Sequence, residues 1–302
     1  MRPRRAWFDM NDDSLAEPDV AVIGLPYDGS ASLKPGAAMA PARLREISRT
    51  SDPITRRGRI VEGVTLRDFG DVPVAGNGGR ALSQRDYLEA VRARMETLPD
   101  RSFPIALGGD NSVSIPCLQA FARRHGPEAG VIWFDAHADL FETYDGNPDS
   151  HACALRRAMT LAGIRPERVV LVGTRSWSLE EMTFIGDQGI EWIGPADWPL
   201  GGEEDVSERI IDRLRGASAV YLSLDIDGFD PSCAPGTGYP MPAGIRTGDF
   251  FALQALLFEG LPIRALDITE IAPPLDLNDM TSFLGAQIVL ETLGALASLS
   301  SP

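Results

Sequence analysis

The chain has 302 residues, of which 44% are hydrophobic and 24% charged, and its formal net charge is −15. This acidic excess argues against nucleic-acid binding, because phosphates need a basic face. It would concentrate small cations near the surface; the alternative is that it only keeps the protein soluble. The three cysteines, Cys117, Cys153 and Cys233, are too few and too scattered for a disulfide framework or a cysteine zinc site.

The N-terminal segment, residues 1–17, carries early arginines without an apolar stretch after them, so it does not read as a signal peptide. We expect it to be a loose lead-in. Residues 18–302 contain no linker, repeat or shift in composition, which predicts one catalytic domain. No apolar run approaches the length of a transmembrane helix, so we expect no membrane contact and a cytoplasmic location.

Short β-branched or apolar runs recur along the chain and predict strands at 19–26, 103–109, 130–135, 168–174, 219–225 and 263–270. Between several of them lie segments with helical periodicity, such as "PARLREIS", "RDYLEAVRARMETL", "CLQAFARRHG" and "VSERIIDRLRG". This alternation predicts an α/β fold, a single three-layer domain with a central, mostly parallel sheet. Ligands in such folds bind at the carboxyl ends of the strands, which is where the polar clusters of this chain lie.

The first polar cluster follows the strand "GVIWFD", which runs directly into "AHADL". Asp135, His137 and Asp139 stand at spacing i, i+2, i+4, so in an extended chain their side chains point the same way. One short stretch could then present oxygen, nitrogen and oxygen to a metal ion. The alternative is a strand end capped by solvated acids.

A second apolar strand ends in alternating acids, Asp225 and Asp227, followed by Asp230 and a Gly/Pro-rich loop. A third strand, "IRALDITE", contributes Asp267 and Glu270. Like charges this close repel each other unless a cation neutralises them. An oxygen-rich site suits manganese, with iron or nickel as relatives, and four or five carboxylates can balance two divalent cations.

Five stretches resemble the ureohydrolase superfamily of arginases, agmatinases and guanidino-acid hydrolases: "VIGLPYDGSASLKPGAAMAPARLRE", "LGGDNSVSIP", "DAHADL", "SLDIDGFDPSCAPGTGYP" and "LDITEIAPPLD". The resemblance covers nearly the whole chain, and it is strongest to the agmatinase-like branch. It implies an arginase-like α/β domain with two manganese ions, Ni²⁺ or Fe²⁺ being alternatives. A hydroxide bridging the ions would attack a small cationic guanidine and release urea and an amine. The family commonly forms trimers or hexamers.

The resemblance also implies a role for each acid of the clusters. Asp135 and Asp225 match the carboxylates that bridge both ions. His137 and Asp227 match ligands of the second ion, and Asp139 matches a ligand of the first.

Other matching positions concern the substrate and the support of the ligands. Glu270 matches the acid that binds the guanidinium, and His151, in "DSHACALRRA", matches a mobile-loop histidine that moves protons. A loop histidine titrates near neutral pH, which suits that role; the alternative is an idle surface histidine. Asp267 and Asp230 are expected to support the ligands without binding metal.

The main departure from the family pattern is Asn111, which stands where a histidine normally binds the first metal. An amide oxygen is a weaker donor than imidazole to manganese or nickel, so we expect the first site to be weakened rather than abolished. His125 lies at a predicted helix end, on the surface, and offers no substitute ligand.

Two further departures concern the substrate. Tyr239 replaces a threonine of the family near the substrate, and it would add bulk and a new hydrogen bond unless the ring faces outward. Phe141 stands where arginases carry an asparagine that holds the amino-acid end, which favours agmatine or a guanidino acid. The "RSW" segment at 175–177 is expected to have a structural or interface role.

These features are compatible with three functions. The first is a metal-dependent amidinohydrolase of the agmatinase type. The second is a non-catalytic or weakly catalytic subunit that pairs with an active paralogue, motivated by Asn111 and Tyr239. The third is a mononuclear amide hydrolase, in which Asp135, His137 and Asp225 form a single-ion site resembling that of the deacetylases that share the fold.

Overall fold

A computed structural model describes residues 4–76 and 79–300 of the chain. Within them, one eight-stranded sheet forms the centre, and every neighbouring pair of strands is parallel. The strands are β1 (Val20–Leu25), β2 (Leu66–Asp71), β3 (Phe103–Gly108), β4 (Gly130–Phe134), β5 (Val169–Val172), β6 (Glu191–Ile193), β7 (Val220–Asp225) and β8 (Ile263–Thr269). Their order across the sheet is β2-β1-β3-β8-β7-β4-β5-β6.

The helices of the described chain form one layer on each face of this sheet. They are α1 (Ala40–Ile47), α2 (Gln84–Glu96), α3 (Ser114–His125), α4 (Ala154–Ala162), α5 (Leu179–Gln188), α6 (Glu203–Arg213), α7 (Thr247–Gly260) and α8 (Met280–Ser300). Alternate strand residues pack against α1, α6, α7 and α8 on one face and against α2, α3, α4 and α5 on the other. The predicted three-layer α/β domain is confirmed, and the sheet is wholly rather than mostly parallel over the described residues.

All six strands predicted from apolar runs are present, and two others are not apparent from the sequence. β2 reads "LRDFGD", with three charged residues, and β6 has only three residues, one of them glutamate. Both are the edge strands of the sheet. Edge strands are covered on fewer sides, so they lack the continuous apolar run that marks a central parallel strand.

The N-terminal segment packs against the domain over its described part instead of lying loose. Trp7 is fully buried, and its indole nitrogen donates to Asp68 at 2.7 Å. The same carboxylate accepts the guanidinium of Arg45 from α1. A buried tryptophan with a satisfied N–H stabilises the lead-in against the first layer of helices.

One helix corrects the expectation that no apolar run approaches the length of a membrane span. The stretch Met280–Leu299 of α8 has 20 residues with a mean hydropathy of 1.4, and 56% of it is buried inside the protein. α8 packs against α1 and α7 as part of the core. Its apolar character is therefore accounted for by contacts with neighbouring helices.

Candidate metal centre

The site is built where four adjacent strands in the middle of the sheet, β3, β8, β7 and β4, reach their carboxyl ends. In register, Asp225 of β7 lies opposite Thr269, the residue before Glu270, and Phe134 of β4 lies opposite Leu224. Residues far apart in sequence are thus placed side by side, as the α/β architecture predicts for a ligand site.

Three donors converge on one point among the described residues: one ligand atom each from Asp135, His137 and Asp227, all within 4.8 Å of one another. The Nδ1 atom of His137 is 3.0 Å from Oδ2 of Asp227 and 3.5 Å from Oδ1 of Asp135. Two carboxylate oxygens and an imidazole nitrogen form a ligand set that fits manganese, iron or nickel. These are three of the four residues that the resemblance assigns to the second ion, the fourth being Asp225.

The first cluster does not converge through extended alternation, as the i, i+2, i+4 spacing suggested. β4 ends at Phe134, and Asp139 has a φ of 53°, a left-handed conformation that a strand does not adopt. Backbone N–H groups fix the loop instead: that of His137 donates to Oδ1 of Asp135 at 2.6 Å, and that of Ala136 donates to Asp227 at 3.1 Å. The backbone after β4 is therefore held in a turn by its hydrogen bonds to the carboxylates of Asp135 and Asp227.

The carboxylates of this cluster are almost completely buried. Burial, followed by the charge of Asp227, raises the pKa of Asp135 to about 7. Burial and neighbouring acids also raise the pKa of Asp139 and of Asp225 well above the usual range. Burial lowers the pKa of His137, but Asp227 and Asp135 outweigh it and raise that pKa to about 12. Close, desolvated carboxylates of this kind favour a bound cation.

Asn111 begins a 3₁₀ turn directly after β3, with its side chain buried between the acids. Its Nδ2 atom donates to Oδ2 of Asp135 at 3.0 Å and to Oδ2 of Asp139 at 2.8 Å. Its Oδ1 atom accepts from the hydroxyls of Ser114 and Thr269. The residues thus fit a divalent cation at the second position, whereas at the first position the amide presents its nitrogen to the acids.

Glu270 and His151 form a second pair beside the acids. Glu270 has a φ of 61° and accepts the backbone N–H of Asn111 at 2.8 Å. The Nδ1 atom of His151 is 3.4 Å from Glu270, and its Nε2 atom is buried without a hydrogen-bond partner among the described residues. The left-handed backbone at a functional acid is the kind of local strain that collects at active sites.

The two acids predicted to support the ligands differ in position. Asp267 is fully buried and accepts the hydroxyls of Tyr221 and Ser223, both at 2.8 Å. Asp230 is partly exposed and holds its own loop, accepting the backbone N–H of Ser232 and of Gly244 at 3.0 Å each. Asp267 braces β7 against β8 beneath the site, and Asp230 shapes the loop above it.

A cavity of about 270 Å³ opens over these groups. Tyr239 and Phe141 both line it, so the ring of Tyr239 is turned toward the site, although the side chain is 43% exposed. The wall also contains Lys34 and Tyr144, which the sequence analysis did not single out, and Trp177, for which it predicted a structural or interface role. Lys34 is the only lysine in the sequence, and this alone could have marked it as a candidate site residue.

Arg175 organises the loop that carries Tyr239. Its guanidinium donates to the backbone carbonyls of Asp227 at 2.9 Å, Met241 at 2.6 Å and Pro242 at 3.0 Å. It also reaches Gly173, Gly228 and Phe229. Within the "RSW" segment, Arg175 therefore has a structural contact with the site loop, while Trp177 lies in the cavity wall.

Comparison with known proteins agrees with this geometry. Residues 18–294 match the sequence model of the arginase family. The chain is 32% identical to an agmatinase of Bacillus anthracis over 289 residues, covering 95% of this chain and 94% of the agmatinase. It is also 32% identical to a guanidinobutyrase of Pseudomonas aeruginosa, covering 92% of this chain and 86% of that protein.

Comparison with solved structures shows that the fold is shared with a similar protein. The structure superposes on the proclavaminate amidino hydrolase of Streptomyces clavuligerus with a TM-score of 0.86 and 27% sequence identity, covering 97% of each chain. The predicted arginase-like architecture is therefore confirmed.

Proposed function

Because the chain belongs to the arginase family, in its agmatinase-like branch, we propose that it is a metal-dependent hydrolase that cleaves a small guanidine of the agmatine or guanidino-acid type to urea and an amine. As a member of this family it is an amidinohydrolase, acting on C–N bonds of guanidino compounds.

The observation that carries the proposal is the convergence of Asp135, His137 and Asp227 beneath a cavity that also contains Glu270 and His151. Residues that could hold a metal ion, bind a guanidinium and transfer a proton therefore lie at one cavity. A guanidinium is stabilised by resonance and resists attack by neutral water. A divalent cation held by these residues, manganese or in its place nickel or iron, would supply a stronger nucleophile at neutral pH.

Glu270 is the residue that would bind the substrate. A guanidinium presents two parallel N–H donors, which match the two oxygens of a carboxylate. Oε1 already accepts the N–H of Asn111, so the carboxylate is held in place before the substrate arrives. Preorganisation of this kind would let the guanidinium bind beside the acids without a loss of rotamer freedom at Glu270.

The cavity wall matches the remainder of a short-chain guanidine. Phe141 and Tyr144 pack edge to face with ring centroids 5.6 Å apart, and both line the cavity. Methylene groups of agmatine or guanidinobutyrate would lie along such apolar rings. Phe141 has no amide to hold the amino-acid end of arginine, which supports the shorter substrates.

His151 would deliver the proton that the departing amine needs. Its Nδ1 atom faces Glu270, and its buried Nε2 atom has no partner among the described residues, so a polar group of the substrate would satisfy it. A guanidinium on Glu270 would compete with Nδ1 for the same oxygen. Substrate binding would then release the imidazole toward the leaving nitrogen.

Urea release from a panel of agmatine, guanidinobutyrate, guanidinopropionate and arginine tests the proposal, with Mn²⁺ or Ni²⁺ added to the purified chain. We expect turnover of at least one of the first three and weaker turnover of arginine. An Asp227→Asn variant should lose activity, since it removes an anionic ligand. If no guanidine is hydrolysed under any metal condition, the non-catalytic subunit becomes the better account.

We further propose a homo-oligomer, a trimer or a hexamer, as the assembly of the chain. Sedimentation equilibrium of the purified protein tests this directly. A monomer would contradict the proposal, and a complex that forms only with a second, homologous chain would support pairing with a paralogue.

A further inference from the structure

We propose that the side-chain amide of Asn111 takes the place of the first metal ion, leaving a centre that holds one cation, at Asp135, His137 and Asp227. The inference rests on the metal dependence in the proposed function, and it adds the number of ions that the centre holds. It replaces the expectation of a weakened but occupied first site.

The amide nitrogen of Asn111 donates to two acids of the cluster. Nδ2 lies 3.0 Å from Asp135 and 2.8 Å from Asp139, and it donates one hydrogen to each carboxylate. Those two acids are the ones that the family pattern assigns, with Asp225, to the first ion. The amide thus joins the acids that a cation would otherwise join, and hydrogen bonds to carboxylates are among the stronger ones.

The contacts of the amide oxygen fix its orientation. Oδ1 accepts the hydroxyl of Ser114 at 3.0 Å and that of Thr269 at 3.1 Å, both within the buried floor of the site. All hydrogen-bonding positions of the amide are therefore used. The reverse orientation would place an oxygen against two carboxylate oxygens at about 3 Å, which is repulsive.

A comparison with His137 shows why the two positions differ. His137 also faces two acids through a nitrogen, at 3.0 and 3.5 Å. An imidazole that gives up the proton on that nitrogen exposes a lone pair and can bind a metal without moving, whereas an amide nitrogen has no lone pair to offer. An ion at the first position would have to rotate the amide and break its four hydrogen bonds to gain one weak oxygen ligand.

Hydrogen bonds of the backbone fix the position of Asn111 beside the acids. The N–H of Asn111 donates to Glu270 at 2.8 Å, and Asp110 caps the turn that Asn111 begins by accepting from Ser112. The same carboxylate of Glu270 is the proposed anchor of the substrate. The first position and the substrate site are therefore held by one network of hydrogen bonds, in which Asn111 is a positioning residue.

Metal content and spin coupling test the inference. The purified chain is equilibrated with micromolar Mn²⁺, dialysed, and analysed by elemental mass spectrometry and electron paramagnetic resonance. We expect about one ion per chain and the six-line spectrum of isolated Mn²⁺. A second ion should bind at least about 100-fold more weakly, the upper end of what lost support of a metal ligand costs.

Two substitutions of Asn111 should change the centre from one bound ion to two. Asn111→His supplies a nitrogen with a lone pair, and Asn111→Asp keeps the shape of the side chain without its N–H donors; each should raise the content to two ions with an exchange-coupled spectrum. Gln188→His, on the exposed end of α5, adds a histidine outside the site and should leave the content at one.

Two tightly bound, coupled ions in the unaltered chain would overturn the inference. So would a content of one ion in both folded Asn111 variants. The ion count does not depend on turnover, which separates the two proposals. One ion without urea release would leave the inference standing and remove the proposed function, and two ions with urea release would do the reverse.

Discussion

The ring of Tyr239 stands edge-on to the imidazole of His137, with centroids 5.1 Å apart and planes at 89°. The phenol thus contacts His137, one of the three converging donors, while Tyr239 also lines the cavity. A residue of this kind affects both how the imidazole is held and how much room the substrate has. The sequence had left open whether the ring faced inward or outward.

Replacing Tyr239 with alanine should therefore alter selectivity. The edge contact is worth about 0.5–1.5 kcal/mol, and the lost wall would reduce contact with short guanidines. We expect kcat/KM to fall about 2–10-fold for guanidinopropionate and to fall less, or rise, for longer guanidines. Tyr239→Phe keeps the ring and should retain the original order of substrates. Equal effects of Tyr239→Ala on every guanidine would contradict this role.

Replacing Glu270 with glutamine should impair binding of the guanidinium. A hydrogen bond between charged groups contributes about 1.5–3 kcal/mol, so kcat/KM should fall roughly 10–150-fold. Glutamine keeps the size of the side chain and can still accept the N–H of Asn111 through its oxygen. Steady-state kinetics on the best substrate measures the loss, and circular dichroism checks the fold. Unchanged kcat/KM would exclude Glu270 as the anchor.

The sequence predicted the central strands well because each is buried on both faces and reads as a continuous apolar run. The acids follow these runs, and polar residues directly after such runs lie at one edge of a parallel sheet. The edge strands β2 and β6 were not recognised, because partial burial imposes no comparable pattern on their sequence. The apolar helix α8 was likewise overlooked until its packing was known.

The site was less predictable where hydrogen bonds decide the geometry. Spacing alone suggested extended alternation for Asp139, whose left-handed backbone brings it to Asn111 instead. The orientation of the Asn111 amide depends on Ser114 and Thr269, and Thr269 lies 158 residues away along the chain. Five of the six carbonyls that Arg175 contacts lie 52 to 67 residues away along the chain, so no local motif could reveal them.

Replacing Arg175 with alanine should destabilise the protein by about 3 kcal/mol, because hydrogen bonds to a charged donor are worth about 1.5–3 kcal/mol each and several are lost together. The loop bearing Tyr239 should loosen, raising KM for all guanidines. Denaturant unfolding measures the stability. Arg215→Ala is the matched control: its side chain is 74% exposed, so the expected change is within about 0.5 kcal/mol. Equal stability of the two variants would contradict the structural role.

His151 should set the alkaline limb of the pH profile. Burial lowers its pKa, but the hydrogen bond and charge of Glu270 outweigh burial and raise that pKa above the ordinary value of 6.5. A proton donor with a raised pKa stays protonated below that value and loses its proton as the pH rises through it. Because kcat/KM reports the free enzyme, it should fall as the pH rises through that pKa.

The variant His151→Asn tests this assignment. It should lower kcat at neutral pH about 100-fold, the lower range for loss of a general acid, and should abolish the alkaline limb. His125→Asn, at the end of α3, removes a histidine away from the cavity and should leave the profile unchanged. The measurement is kcat and kcat/KM from pH 6 to 10 with the best guanidine. An alkaline limb that persists in His151→Asn would assign the proton to another group. Because the charge of Glu270 raises the pKa of His151, the limb should move to lower pH in Glu270→Gln.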